Sequence, residues 1–288
     1  MERHPLDAQE LSQLRAMLEE RTARQSLELF GQVGGTRTAW AVDYFWDERL
    51  QSPRIEILDR HGVMPGKHRV LDLAAGCGQF VVRALREGFD CEGVEPDPWR
   101  IDFVEQKIRL SGDPASWTQR FHCAFGEKLP FADDTFDYVT SFQTLEHVSD
   151  PRQVLAEMVR VTRRGGAIHI MCPDYRGIFE AHYRIPWLPL FPRPLARAYL
   201  RLLGRPSKGL DTLQYVTRPR LLAWIGALER GRRFVVVDEN RLAFDNALRR
   251  RHVPKIPGAY WVWRGLPIAR AIGRDVLGID MLIRILGK

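Results

Sequence analysis

At 288 residues, 45% hydrophobic and 27% charged, the chain is long enough to bury a full sheet core and too apolar to be disordered. No run of about 18 apolar residues occurs and the basic start carries no apolar signal segment, so a spanning or secreted protein is not expected and a cytoplasmic one is. The net charge of +7 is uneven: residues 1–160 hold 19 Lys+Arg against 27 Asp+Glu, whereas 161–288 hold 24 against 9.

An amphipathic helix is expected from Asp7 to Phe30, with Leu11, Leu14, Leu18 and Leu27 on one face and Gly31, Gly34 and Gly35 breaking it. The aromatic segment Thr38 to Leu50 reads either as a core staple or as a lid over a ligand. A helix from Arg54 to His61 then leads into the stretch Val70 to Gly78, VLDLAAGCG. Val70, Leu71 and Leu73 read as a buried strand, Gly76 and Gly78 as a sharp turn, and Phe80 to Leu85 as the helix that follows. A helix start facing a ligand offers unpaired N–H groups. Such turns serve dinucleotides and S-adenosylmethionine alike. A dinucleotide fingerprint would place a third glycine where Val81 stands, which counts against pyrophosphate. The second strand, Asp90 to Val94, ends in Glu95, 17 residues after Gly78, an interval that suits a carboxylate gripping a ribose diol. Cys77, Cys91, Cys123 and Cys172 lack metal or disulfide spacing and read as reduced thiols.

Residues 126–175 add an LPF turn, an FDYV strand, Leu145-Glu146-His147 and a Gly-Gly hairpin before the next strand. With the Asp72–Gly78 loop and Glu95, these motifs resemble, over about residues 53–175, the class I S-adenosylmethionine-dependent methyltransferases. The resemblance implies an α/β fold, a Rossmann-like seven-stranded, mostly parallel sheet with helices on both faces, and S-adenosylmethionine as cofactor. It assigns cofactor contacts to Asp72, Ala74, Gly76 and Gly78 in the loop, to Glu95 on the ribose hydroxyls with Pro96 beside it, and to Gln143 near the methionine end. Ala74 stands where the family has its first glycine. Phe125 stands where many members have an adenine-reading Asp, so the adenine falls to apolar contact and to backbone near Gly126 and Glu127.

A methyl group on sulfonium is already activated, so the protein must align an acceptor oxygen and remove its proton. His147 leads as base, because imidazole titrates near neutrality and follows the fourth strand; packing against the next helix is its plain alternative. His182, Tyr183, Tyr175 and Asp174 are further candidates. Ubiquinone-type O-methyltransferases carry E-x-x-E-H at this turn and bind a divalent ion. Here the turn reads Gln143, Glu146, His147, and loss of the first carboxylate leads to the expectation of no required metal.

Beyond residue 175 the pattern changes to a proline-punctuated IPWLPLFPRP, a helix from Leu195 to Leu203, and strands at Phe234–Val237 and Met281–Leu286. The expected organisation is a helical cap or lid over 1–52, the cofactor core over 53–175, an acceptor-covering insertion over 176–232, and the last strands with a basic Trp/Arg-rich insertion over 233–288. Trp187, Trp224, Trp261 and Trp263 lie among arginines that include Arg184, Arg193, Arg249, Arg250 and Arg251. That mixture suits an anionic membrane surface, an anionic substrate or, less well, nucleic acid; it also suits a plain solvated face. A loose resemblance of HYR-x-PWLP to envelope glycan methyltransferases leads to an expected small-molecule or lipid-linked glycan acceptor, and to a peripheral position on the inner membrane face. A non-catalytic cofactor-binding scaffold in an envelope assembly complex and a methyltransferase of nucleic acid are the alternatives. Oligomeric state stays open.

Overall fold

The computed structural model describes residues 8–31, 36–228, 232–240 and 278–287. Chain order begins with α1 (Ala8–Phe30), α2 (Thr36–Trp46) and α3 (Ser52–Arg60), then alternates β1 (Arg69–Leu73), α4 (Gln79–Arg86), β2 (Asp90–Glu95), α5 (Pro98–Leu110), β3 (Phe121–Cys123), β4 (Phe136–Phe142), α6 (Pro151–Val161) and β5 (Thr162–Cys172). After β5 come a small hairpin, β6 (Phe179–Glu180) and β7 (Ile185–Pro186), the helices α7 (Arg193–Leu202), α8 (Lys208–Asp211) and α9 (Arg218–Leu228), and the strands β8 (Phe234–Asp238) and β9 (Ile279–Ile285). One seven-stranded sheet forms in the order β3-β2-β1-β4-β5-β9-β8, parallel except for β9, which runs antiparallel to both its neighbours. The Rossmann-like α/β fold expected from the sequence is the fold observed.

Each strand divides its side chains between two cores by alternation. Leu71, Leu73, Val139, Ile168 and Ile170 face the layer that contains α6 and α9, and Val70, Cys91, Tyr138 and Ala167 face the layer of α3, α4 and α5. The first layer is apolar, mostly aliphatic with Phe136, Met158 and Cys172 among its members. The second admits polar groups: His61 and Tyr138 share a hydrogen bond of 2.7 Å, and His169 on β5 pairs with Asp280 on β9 at 2.6 Å. Burial and the neighbouring His169 pull His61 down to about 4.

The chain order of the strands reverses between β1 and β4, so the loops after these two strands diverge and leave a crevice at their carboxyl ends. Over that edge lies a satellite core made by the insertion. Tyr183, Ile185, Trp187, Phe191, Leu200 and Leu210 are its buried members, with Phe30 of α1 packed against them. At its other half α1 contributes Leu14 and Leu18 to a cluster with Val42, Cys77 and Phe103. Trp187 is therefore a core residue here and no wedge for lipid, because Phe191 and Tyr199 enclose its ring. Trp224 likewise packs on the main core. Trp261, Trp263 and Arg249 to Arg251 lie outside the described residues. No helix among the described residues is long and apolar enough to cross a membrane.

Candidate active site

The loop after β1 is shaped by positive backbone angles: Ala74 has φ 58°, Gly76 60° and Gly78 74°. Gly78 is the N-cap of α4, and a Cβ built on it would sit 2.3 Å from Val104 and 2.8 Å from Phe121, so this glycine serves the packing of loop on helix α5 and strand β3. Gly76 has ordinary room for a Cβ; its role is to turn its N–H onto Glu95. Ala74 occupies the left-handed region at a steric cost of roughly 1–2 kcal/mol that glycine would avoid.

Glu95 closes β2 almost fully buried. Its Oε2 accepts from the Gly76 N–H at 2.9 Å and its Oε1 from the Asp97 N–H at 3.2 Å, which ties the ends of β1 and β2 together. Burial pushes its carboxyl above the ordinary range, and Arg100, 3.9 Å away, pulls in the opposite sense. Asp72 takes a different position from the one its motif suggests. Its carboxylate is spent on Arg54 of α3 at 2.5 Å, and the Arg54 guanidinium lies between the Phe80 and Phe142 rings at 3.8 and 4.1 Å. It therefore anchors the loop from inside the sheet layer, and Arg54 is a residue that the sequence reading missed.

A cleft of about 120 Å³ opens beside Glu95, and its wall includes Ala74, Pro96, Phe125, Gly126, Glu127 and His147. Leu73, Val94 and Ala124 make its floor apolar, as a flat heteroaromatic ring requires. Phe125 is 67% exposed at its rim. The Glu127 side chain accepts the Ser149 and Asp150 N–H groups at 2.9 and 3.2 Å, fixing the approach to α6, while the residue stays on the cleft wall. Gln143 follows β4 with φ 52°, its N–H bonded to the Met171 carbonyl at 2.7 Å; its side chain is exposed and does not line the cleft.

On the β4 side the cleft meets the insertion. His147 Nε2 lies 3.2 Å from His182 Nε2, and His182 Nδ1 lies 2.7 Å from Glu180 Oε1. Glu180 is itself held, its Oε2 accepting the Tyr183 N–H at 2.6 Å and its Oε1 the Tyr175 hydroxyl at 3.5 Å. His147 keeps 39% of its side chain exposed, while desolvation by the protein packed around it and the neighbouring His182 lower its ring to about 4. Glu146, beside it, is fully buried without a hydrogen bond to either oxygen among the described residues, and burial pushes its carboxyl up to about 7.

Of the acceptor-side candidates, His147 and His182 are brought together. Tyr175 is buried, stacked on Tyr215 at 4.7 Å and off the cleft wall, so it backs Glu180 and has no line to a substrate. Tyr183 is structural: its hydroxyl accepts from the Leu210 N–H at 3.0 Å and donates to the Leu29 carbonyl at 3.4 Å. Asp174 pairs with Arg176 at 2.6 Å. Glu180 went unread in the sequence; its one signal is the spacing Glu-x-His, which puts a carboxylate two residues from an imidazole in the E180–H182 segment.

Residues 71–170 match the family model described as a methyltransferase domain. An uncharacterized methyltransferase of Mycobacterium sp. (strain JLS) is 38% identical over 118 residues, 41% of this chain and 44% of that protein. An uncharacterized methyltransferase of Mycobacterium tuberculosis (strain ATCC 25618 / H37Rv) is 32% identical over 151 residues, 52% of this chain and 57% of its own length. The chain thus spans about half the length of the curated relatives it matches. Among solved structures, a Haemonchus contortus phosphoethanolamine N-methyltransferase 2 in complex with S-adenosyl-L-methionine superposes with TM-score 0.49 at 17% identity, over 82% of this chain and 53% of that one.

Proposed function

The chain carries a class I S-adenosylmethionine-dependent methyltransferase domain, and from that premise we propose that the protein methylates a hydroxyl of a sugar, glycan or lipid-linked small molecule. The observation that carries the choice of oxygen is His147 on the cleft wall, backed from behind by His182 and Glu180, since an alcohol, unlike a free amine, must lose its proton to a base as it reacts.

The residues present fit the cofactor. Glu95 offers a buried carboxylate fixed by two backbone N–H groups, Ala74 and Gly76 bend the backbone out of its way, and Pro96, Phe125 and Gly126 provide a slot of the right polarity for an adenine. When bound, S-adenosylmethionine supplies a methyl group already activated by the positive sulfur. The chain's own work is to hold the acceptor oxygen in line, exclude water and take a proton. The acceptor's hydroxyl proton would be taken at His147 Nε2, with the facing imidazole of His182, backed by Glu180, spreading the resulting charge.

The acceptor class is supported by the insertion's outer surface. Ile178, Phe179, Leu188, Leu195 and Leu202 are exposed there, Leu202 at 84%, and Leu195 and Leu202 share one face of α7 with Arg201 in its last turn. An apolar ridge edged by arginine suits a lipid-linked acceptor presented at an anionic bilayer surface. The test is turnover of methyl-labelled S-adenosylmethionine with a panel of free and lipid-linked sugars, alongside amine acceptors. Label transfer to a sugar hydroxyl is expected; transfer to amines alone would overturn the oxygen assignment.

A further inference from the structure

Three donor groups meet where the insertion touches β4's following turn: one atom each of Glu146, His147 and His182, all within 4.8 Å of one another. His182 Nδ1 faces Glu180 Oε1 at 2.7 Å, which turns its Nε2 toward His147. The two Nε2 atoms lie 3.2 Å apart across nearly perpendicular rings. The Glu146 carboxylate, 0% exposed and without a hydrogen bond among the described residues, places Oε1 4.0 Å from the same His147 nitrogen. A proton shared between the imidazoles satisfies the two nitrogens and leaves Glu146 buried and unpaired, which is costly. A divalent cation satisfies all three.

We propose that Glu146, His147 and His182 form a binding site for a divalent transition-metal ion of the zinc type, with Glu180 as the outer carboxylate that fixes the His182 ring. Metal–nitrogen bonds of about 2.0–2.1 Å at tetrahedral angles separate two ligating nitrogens by roughly 3.3 Å, close to the 3.2 Å found. The Glu146 oxygen, 4.0 Å from His147 Nε2 and within 4.8 Å of the His182 ligand atom, needs to close by up to about 1.5 Å to complete the third ligand at that spacing. Two imidazoles and one carboxylate favour a borderline ion over the hard Mg²⁺ and Ca²⁺. The carboxylate–histidine pair Glu180–His182 is the arrangement that orients histidine ligands in metal sites. Three protein ligands leave one position open, and His147, one of the three, lines the cleft. The ion takes the place of the proton between the rings, so a metal-loaded site and His147 Nε2 acting as the base are mutually exclusive states of one nitrogen. The sequence expectation of no required metal weighed Gln143, Glu146 and His147 alone; the third ligand comes from the insertion, 35 residues after His147.

The site goes beyond the methyl-transfer reading and is tested without the methyl donor. The full chain, stripped by chelator and dialysed, is titrated with Zn²⁺ by calorimetry and with Co²⁺ by visible absorption. One equivalent of each is expected at micromolar concentration, with the strong d–d bands of four-coordinate Co²⁺ and no displacement by millimolar Mg²⁺. His182→Ala and Glu146→Gln should each weaken binding at least ~100-fold, Glu180→Gln ~10–100-fold, and His122→Gln, outside the cluster, not at all. Circular dichroism melts identify variants that fail to fold. Should both ligand variants unfold, Glu180→Gln decides. Wild-type protein that binds no stoichiometric Zn²⁺, or folded variants that bind it as wild type does, would overturn the proposal.

Discussion

Glu95 and Glu146 are two buried acids at the carboxyl edge of one sheet, and the chain treats them in opposite ways. Glu95 receives two backbone N–H groups from the strand ends beside it, whereas Glu146 receives none among the described residues. The donor side of the cleft is thus completed by local backbone and is ready before any ligand arrives. On the other side, side chains from β4's turn and from a distant insertion meet, and the Glu146 carboxylate among them has no hydrogen bond within the described residues. A constant cofactor permits the first solution; a site that activates its substrate keeps the second.

The sharpest way to break this contrast is to delete one group on each side. His147→Ala should lower turnover by ~10²–10⁴-fold while S-adenosylhomocysteine affinity, read by calorimetry, changes less than about threefold. Glu95→Ala should do the reverse to binding, weakening S-adenosylhomocysteine by ~100-fold as charge-assisted hydrogen bonds to the ribose are lost. If both variants lost turnover and binding together, the two sides would not be separable.

Next in size is a purely structural change on the donor side. Gly78→Ala forces a methyl into Val104 and Phe121 at a left-handed position, and denaturant melts should show about 2–4 kcal/mol of lost stability.

A third polar group, His61 on the α3 layer, serves as a reference for acid sensitivity away from the cleft. Its ring sits near 4 in the fold against 6.5 in the unfolded chain. Between those values the unfolded chain takes up a proton that the folded one refuses, so stability falls as pH drops from about 6.5 to 4, by on the order of 2–3 kcal/mol. His61→Gln, melted at pH 7 and pH 4.5, should flatten that loss. The smallest expected effect is a gain: Ala74→Gly relieves φ 58° and should stabilise by a few tenths to about 1 kcal/mol, the glycine's extra unfolded-state freedom offsetting part of the relief.

What the sequence disclosed follows the same division. β1, β4, β8 and β9 could be read because each carries enough β-branched and aliphatic residues to stand out, whereas β3, only three residues long, was not read. The loop from Asp72 to Gly78 and the acid at Glu95 were legible because their meaning lies in local spacing. Their precise uses were not: Asp72 faces Arg54, a pairing across 18 residues and a helix, and Gly78 answers to Val104 and Phe121. The link of Glu180 to His182 to His147 was hidden, since it depends on how an irregular, proline-rich segment folds back over the sheet. Trp187 misled for the same reason, its ring being enclosed by Phe191 and Tyr199 where composition alone suggests a surface.

The docking of α1 on the insertion sets the unit in which such a specificity element can be exchanged between proteins. Phe30 stacks on His182 at 5.5 Å, the Leu29 carbonyl receives the Tyr183 hydroxyl, and Gly209 lies so close to that carbonyl that an added methyl would stand 2.4 Å from it. Residues near 30 and near 209 therefore form one keyed surface, cut from two ends of the sequence. A chimera that transplants residues 176–217 alone would deliver a lock without its key; recombination has to carry the first helix along, and sequence change at either end is answerable to the other.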